Sequence, residues 1–350
     1  MMEISDRIDA LKDLRQAAAL KRRLFLLQDI NRFLPARASG FTMLPDRMWS
    51  FAGLIDLEKQ CRDPEEGKSG RIHITDFLRN GNKSIIMSNR TLKAHCDYRN
   101  GGRIYELDYL DRNLNLFAAY NPAPHDPPDI VSPRTSYTAF IDRIYTEGTT
   151  TAGIIAGTAA DAGDFSTGAF EYSIKKTSSG IKTALNRQGS FVLGGKAVPL
   201  NIDKVFGMEK DEASLSFVYQ ASNHSLTSYS FVFTTELPIS LPGVTDHALR
   251  LIHARTVHDT IGWEPIILEK AVKWSISDHA TGMRIQIVTQ KPVDVCCLPI
   301  KGADGQIDPS CGIRVIFASP VTLEASSSWS LIGTIGFRKI RERRKVDDAL

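Results

Sequence analysis

The stretch Gly101-Gly102-Arg103-Ile104-Tyr105-Glu106-Leu107-Asp108-Tyr109 decides how this chain is read. Two consecutive glycines permit a tight turn through left-handed backbone. The seven residues after them alternate as a strand does. Tyr105, Leu107 and Tyr109 fall on one face, and Ile104, Glu106 and Asp108 on the other. An apolar face backed by carboxylates suits a sandwich strand whose outer side meets a polar ligand or a partner domain. Taken alone, a Gly-Gly turn before a strand also fits a purely structural role.

The same period of two runs through most of the chain beyond residue 71. Leu215, Phe217 and Tyr219 alternate with small or polar neighbours, as do Tyr229, Phe231 and Phe233, and Met283, Ile285 and Ile287. Ile313, Val315 and Phe317 form another such set, and Trp329, Leu331, Ile335 and Phe337 a last one. Runs of this kind, separated by Gly, Asn, Asp and Pro, predict antiparallel strands with one buried face. Strands do not alternate with long helices, which argues against a doubly wound sheet. Residues 121–133 hold five prolines and predict an extended surface loop. Residues 152–168 are rich in Ala, Gly and Thr and show no clear period.

Before residue 71 the period is helical. Ile8, Leu11, Leu14, Ala18, Leu24, Leu27, Ile30 and Leu34 recur every three or four residues, which predicts a helix over 5–34 that Pro35 ends. A second helix is expected from about Pro45 to Cys61, with Met48, Phe51, Ala52 and Ile55 on its apolar stripe. The predicted organisation is therefore a helical region, 1–70, and a β-sandwich domain, 71–350, that ends in a basic tail. That tail, residues 338–345, holds six Lys and Arg and predicts a solvated terminus; a nucleic-acid contact there would lack interleaved aromatics.

Composition narrows the function. Of 350 residues, 42% are hydrophobic and 24% charged, and the net charge is +3, so no global field draws the chain to nucleic acid or to a membrane. No apolar run approaches the ~18 residues of a bilayer span. The charged N-terminus lacks the apolar core of a signal peptide, which points to the cytoplasm. The five cysteines include no CxxC pair, and Cys296 and Cys297 lie in an apolar run, where buried thiols are expected. No metal site and no cofactor is expected.

Several segments together resemble the non-catalytic C-terminal half of glycoside hydrolase family 57, the α-amylase and 4-α-glucanotransferase family. Residues 11–28 and 44–61 look like the helices that follow the family's catalytic barrel. Residues 85–97, the Gly101-Gly102 turn and Glu106-Leu107 are similar to a strand, a Gly-Gly turn and a Glu-Leu strand of its sandwich. Residues 134–143, Gly163-Asp164-Phe165 with Phe170-Glu171-Tyr172, and residues 296–337 resemble further segments in the same order. The resemblance implies a mostly β protein, a large antiparallel β-sandwich of the galactose mutarotase-like supersandwich type, preceded by a short α-helical region. It implies work with α-glucan, either by binding a maltooligosaccharide or by docking a separate catalytic barrel. Met1-Met2 directly before the first helix would suit a barrel encoded apart. Two departures stand out. Nothing here corresponds to the barrel with its Glu nucleophile and Asp acid, and Ala38-Ser39-Gly40-Phe41 replaces the aromatic-His-Gly signature expected there.

The carbohydrate-binding residues expected on this basis are Glu106, Asp108, Arg134, Asp142 and Trp263. Carboxylates and guanidinium groups bind sugar hydroxyls in pairs, and Trp263, between Gly262 and Pro265, would offer a ring face for stacking. Trp274, in an alternating stretch, is expected in the core. No catalytic residue is assigned. The alternative is a free-standing mutarotase-like aldose or hexose-phosphate epimerase, with His253 or His258 as base beside Glu264.

Overall fold

Alternating apolar residues bury one face of a strand, and here they do so across two sheets that share one core. The computed structural model describes residues 20–21, 56–57, 70–76, 81–117, 138–241, 249–258, 265–300 and 312–340. Leu20, Lys21, Asp56 and Leu57 are helical and fall within the two expected helices, whose remaining residues lie outside the described set.

The smaller sheet has the order β1 (Arg71–Thr75), β2 (Ser84–Ser88), β3 (Leu92–Asp97), β4 (Arg103–Tyr109) and β5 (Leu114–Asn115), each strand antiparallel to the next. The larger sheet collects β6 (Ile141–Thr146), β7 (Glu171–Lys176), β8 (Gly180–Leu193), β9 (Lys196–Glu209), β10 (Ser214–Ser222) and β11 (Tyr229–Ile239). It continues with β12 (Leu249–His253), β13 (Thr256–His258), β14 (Ile266–Asp278), β15 (Met283–Pro299), β16 (Ile313–Leu323) and β17 (Ser328–Lys339). A short helix, α1 (Thr151–Ala156), overlaps the start of the stretch that lacked a sequence period.

Strand β15 makes the larger sheet fold over on itself. Its first part, from Met283 to Thr289, pairs with β17, and its second, from Asp294 to Pro299, pairs with β16. On its other side runs β14, with register shifts on either side of Ala271 and Lys270 at φ 49°. Bulges of this kind bend and twist a strand, so β14 and β15 pass from one layer of the sandwich into the other. One layer continues through β16, β11 and β6, and the other through β17, β10, β9, β8 and β7.

Aromatic side chains fill the space between. Phe217 stacks on Phe317 at 6.2 Å, Tyr219 meets Phe233 at 5.1 Å, and Trp274 packs edge-on against Phe317 at 5.2 Å. Trp274 is thus a core residue, as its alternation predicts. The inner face of the small sheet joins the same core, with Tyr109 stacked on Phe337 at 5.6 Å. Cys296 and Cys297 are buried free thiols, as their apolar surroundings suggested. Arg338 and Lys339, placed by sequence in the solvated tail, are exposed and close strand β17 opposite Arg284 and Met283.

Candidate functional site

The turn before β4 explains its two glycines. Gly101 and Gly102 have φ of +70° and +57°, and a Cβ on Gly101 would lie 2.5 Å from the Ser166 carbonyl oxygen. Only glycine fits such a position without strain. The turn is held from two sides: the Gly101 amide donates to the Gly168 carbonyl at 2.9 Å, and Lys204 Nζ donates to the Gly101 carbonyl at 2.5 Å.

Beyond the turn the structure departs from simple alternation. Cys96 pairs with Ile104 while its neighbour His95 pairs with Glu106, so Tyr105 is the extra residue of a bulge. The bulge reverses the expected parity of Ile104 and Tyr105. Ile104 joins Leu107 and Tyr109 in the core, and Tyr105 turns to the outer face with Glu106 and Asp108. There the Tyr105 hydroxyl donates to Ser84 Oγ at 3.2 Å and approaches His95 Nδ1 at 3.4 Å.

That outer face is polar yet buried. His95 is fully buried, Asp108 is 1% exposed, and Lys93 is 4% exposed and lies opposite Asp108 in register. The Glu106 side chain keeps 19% of its exposure. Asn113, in the turn between β4 and β5, donates to Asp56 at 3.4 Å and so ties residue 56 to the sheet. Loss of solvent holds the His95 imidazole well below its usual pKa, and the charges of Lys93 and His73 add to the effect. His95 is therefore neutral near pH 7.

Asp142 belongs to a different cluster. It lies on the core side of β6, fully buried, and forms an ion pair with the fully buried Lys204 of β9. Its other oxygen accepts a hydrogen bond from the Tyr219 hydroxyl at 2.8 Å, and that hydroxyl also meets Thr235 Oγ1 at 3.0 Å. The Lys204 ammonium lies 4.7 Å from the centre of the Phe170 ring and 5.8 Å from that of Tyr219. Burial pushes the Asp142 carboxyl up and the Lys204 ammonium down, while their mutual attraction opposes both shifts. On the other face of β6, Arg143 pairs with Glu236, which also receives Arg314 at 2.9 Å.

Of the five sugar-binding residues expected from sequence, Glu106 and Asp108 thus come together and Asp142 stands apart in the core. Arg134 and Trp263 lie outside the described residues. Sequence reasoning missed Lys204 and His95. Lys204 had a signal, because it takes the buried parity of β9 between Ile202 and Phe206. His95 had a weaker one, as the polar residue between Ala94 and Cys96 on β3. His253 and His258 are partly exposed on the β12–β13 edge of the large sheet, and Glu264 lies outside the described residues.

Residues 133–303 match the family model for the C-terminal part of alpha-amylase/4-alpha-glucanotransferase. The match covers just under half of the chain. The matched stretch holds Asp142, Lys204 and Tyr219, whereas the small sheet with His95, Glu106 and Asp108 precedes it. The chain is similar in structure to the 4-α-glucanotransferase of Thermococcus litoralis, with a TM-score of 0.68 and 16% identity over 93% of this chain. It spans about half of that enzyme, 49% of its length. It is also similar to galactose mutarotase-like proteins of Clostridium acetobutylicum and Lactobacillus casei. Their TM-scores are 0.56 and 0.53 at 9% and 12% identity, over 78% and 73% of this chain and 99% and 100% of theirs. These likenesses establish the supersandwich fold. No curated protein matches the chain by sequence.

Proposed function

We propose that this chain is a non-catalytic module of α-glucan metabolism, of glycoside hydrolase family 57 type, that works by docking a catalytic barrel in the cytoplasm. The observation that carries this reading is the partial overlap with the Thermococcus litoralis enzyme: nearly all of this chain corresponds to about half of a 4-α-glucanotransferase. By the resemblance stated above, the half without a counterpart here is the one with the catalytic carboxylates. The helical region, residues 1–70, is the docking element, and an α-glucan or maltooligosaccharide is the ligand of the assembled enzyme.

The burial of the expected sugar ligands favours docking over direct sugar binding. Asp142 is fully buried, with one oxygen paired to Lys204 and the other to Tyr219, and a carboxylate already paired in the interior has no free oxygen for a sugar hydroxyl. The chain alone is accordingly expected to give no heat when titrated with millimolar maltoheptaose in a calorimeter. A micromolar site, weakened by Glu106→Ala or Trp263→Ala, would replace docking with a glucan-binding module.

A further inference from the structure

The outer face of the small sheet brings together an imidazole and two carboxylates that the proposed function does not use. One donor atom from each of His95, Glu106 and Asp108 lies within 4.8 Å of the others. All three side chains share one face of adjacent strands. His95 stands opposite Glu106 in register, and Asp108 lies two residues further along β4.

We propose that His95, Glu106 and Asp108 form a binding site for a divalent transition-metal ion, Zn2+ being the ion that suits the donors best. The geometry supplies the first argument. His95 Nε2 lies 3.9 Å from Glu106 Oε1, too far for a hydrogen bond. Two ligands of one zinc ion, each ~2.0–2.1 Å from it, stand about 3.3 Å apart at a tetrahedral angle. A small side-chain rotation therefore brings both atoms to bonding distance of a shared ion.

The chemistry of the donors supplies the second argument. A metal-bound imidazole uses one ring nitrogen and leaves the other to a hydrogen-bond partner. The Tyr105 hydroxyl faces Nδ1 at 3.4 Å, which leaves Nε2 directed to the carboxylate side. A ligating histidine commonly has its second nitrogen held in this way. The bulge matters here, because without it Tyr105 would turn to the core and the imidazole would lose that neighbour.

With three protein ligands in the set, the fourth position falls to water or to a further side chain. The ion would clamp β3 to β4 beside the turn that contacts residue 56, which makes it a structural rather than a catalytic ion. This assignment does not depend on the docking reading, since the three residues precede the matched domain.

The test uses the whole chain, stripped with a chelator and dialysed against Zn2+ alone. One tightly held Zn2+ per chain and a raised melting temperature are expected. Glu106→Gln and His95→Gln should each weaken binding by at least about 100-fold, and Tyr105→Phe by about 10-fold, as loss of an outer-shell partner does. Co2+ in place of Zn2+ reports the ligands of the wild-type chain directly, so the question stays answerable if a variant fails to fold. An absorption spectrum of nitrogen and oxygen ligation supports the site. A thiolate charge-transfer band would place the ion on cysteine and overturn it. So would a wild-type chain that retains no Zn2+, or folded variants that bind as tightly as wild type.

Discussion

Replacing Lys204 by methionine tests the account of the core most sharply. The ammonium is fully buried, pairs with the fully buried Asp142, and donates to the Gly101 carbonyl at 2.5 Å. Lys204→Met keeps most of the volume and leaves Asp142 without its counter-ion. Breaking a buried pair from one side costs about 3–5 kcal/mol, and the Gly101 carbonyl loses a hydrogen bond of about 1 kcal/mol. A total loss of about 4–6 kcal/mol is a large share of the roughly 5–15 kcal/mol that stabilises a typical fold. The double variant Lys204→Met with Asp142→Leu removes both charges and should recover about 2 kcal/mol of that loss, so the two substitutions are strongly non-additive. Urea unfolding followed by tryptophan fluorescence measures both single variants, Lys204→Met and Asp142→Leu, and the double variant, since Trp274 lies in the same core. A single variant within about 1 kcal/mol of wild type, or a double variant equal to the sum of its parts, would refute the reasoning.

Three further outcomes follow from local geometry. Gly101→Ala puts a side chain on left-handed backbone against the Ser166 carbonyl, and should lower stability by about 2–3 kcal/mol in the same urea assay; an unchanged midpoint would mean the turn relaxes freely. The Cys296 thiol is pushed up to about 12, chiefly by burial, and Cys297 is raised as well. Neither should react with a disulfide reagent at pH 8 until the chain unfolds, and modification of the native protein within minutes would contradict their burial. The third outcome concerns alkaline pH, where Tyr219 is raised well above 10.0 and Tyr229 to about 12, in both cases first by burial. A group whose pKa is raised on folding contributes stability that is complete below its unfolded pKa and is lost as pH rises past it. Melting temperature should therefore fall between about pH 10 and 12, less steeply in Tyr229→Phe than in wild type; equal slopes would remove Tyr229 from the effect.

The architecture was legible because its buried strands carry long alternating sets. Leu215, Phe217 and Tyr219 are buried together on β10, and Ile313, Val315 and Phe317 on β16. Alternation fixes which face is apolar but not which strands are neighbours, so the passage of β14 and β15 between two layers could not be read from it. The bulge at Tyr105 was invisible for a related reason. One extra residue shifts parity locally, and Ile104-Tyr105 reads equally well in either phase. Asp142 was assigned to a sugar site because it lies in the segment 134–143 that resembles the family, beside carboxylates able to bind sugar hydroxyls. Its parity with the buried Ile144, set beside that of Lys204 with Ile202 and Phe206, points to a buried pair instead. His95 escaped notice because its partners lie across a turn on the next strand, a spacing that no short motif marks.

The central claim is that this chain docks a catalytic barrel, and association measures it most directly. The chain would be mixed with a family 57 4-α-glucanotransferase barrel that lacks its own sandwich, after circular dichroism has shown that the barrel is folded. Sedimentation velocity then reports whether the two travel together. The account predicts a one-to-one complex that is lost when residues 1–70 are removed from a chain whose β spectrum is unchanged. Two species that sediment independently at tens of micromolar, together with a micromolar maltoheptaose site on the chain alone, would contradict it.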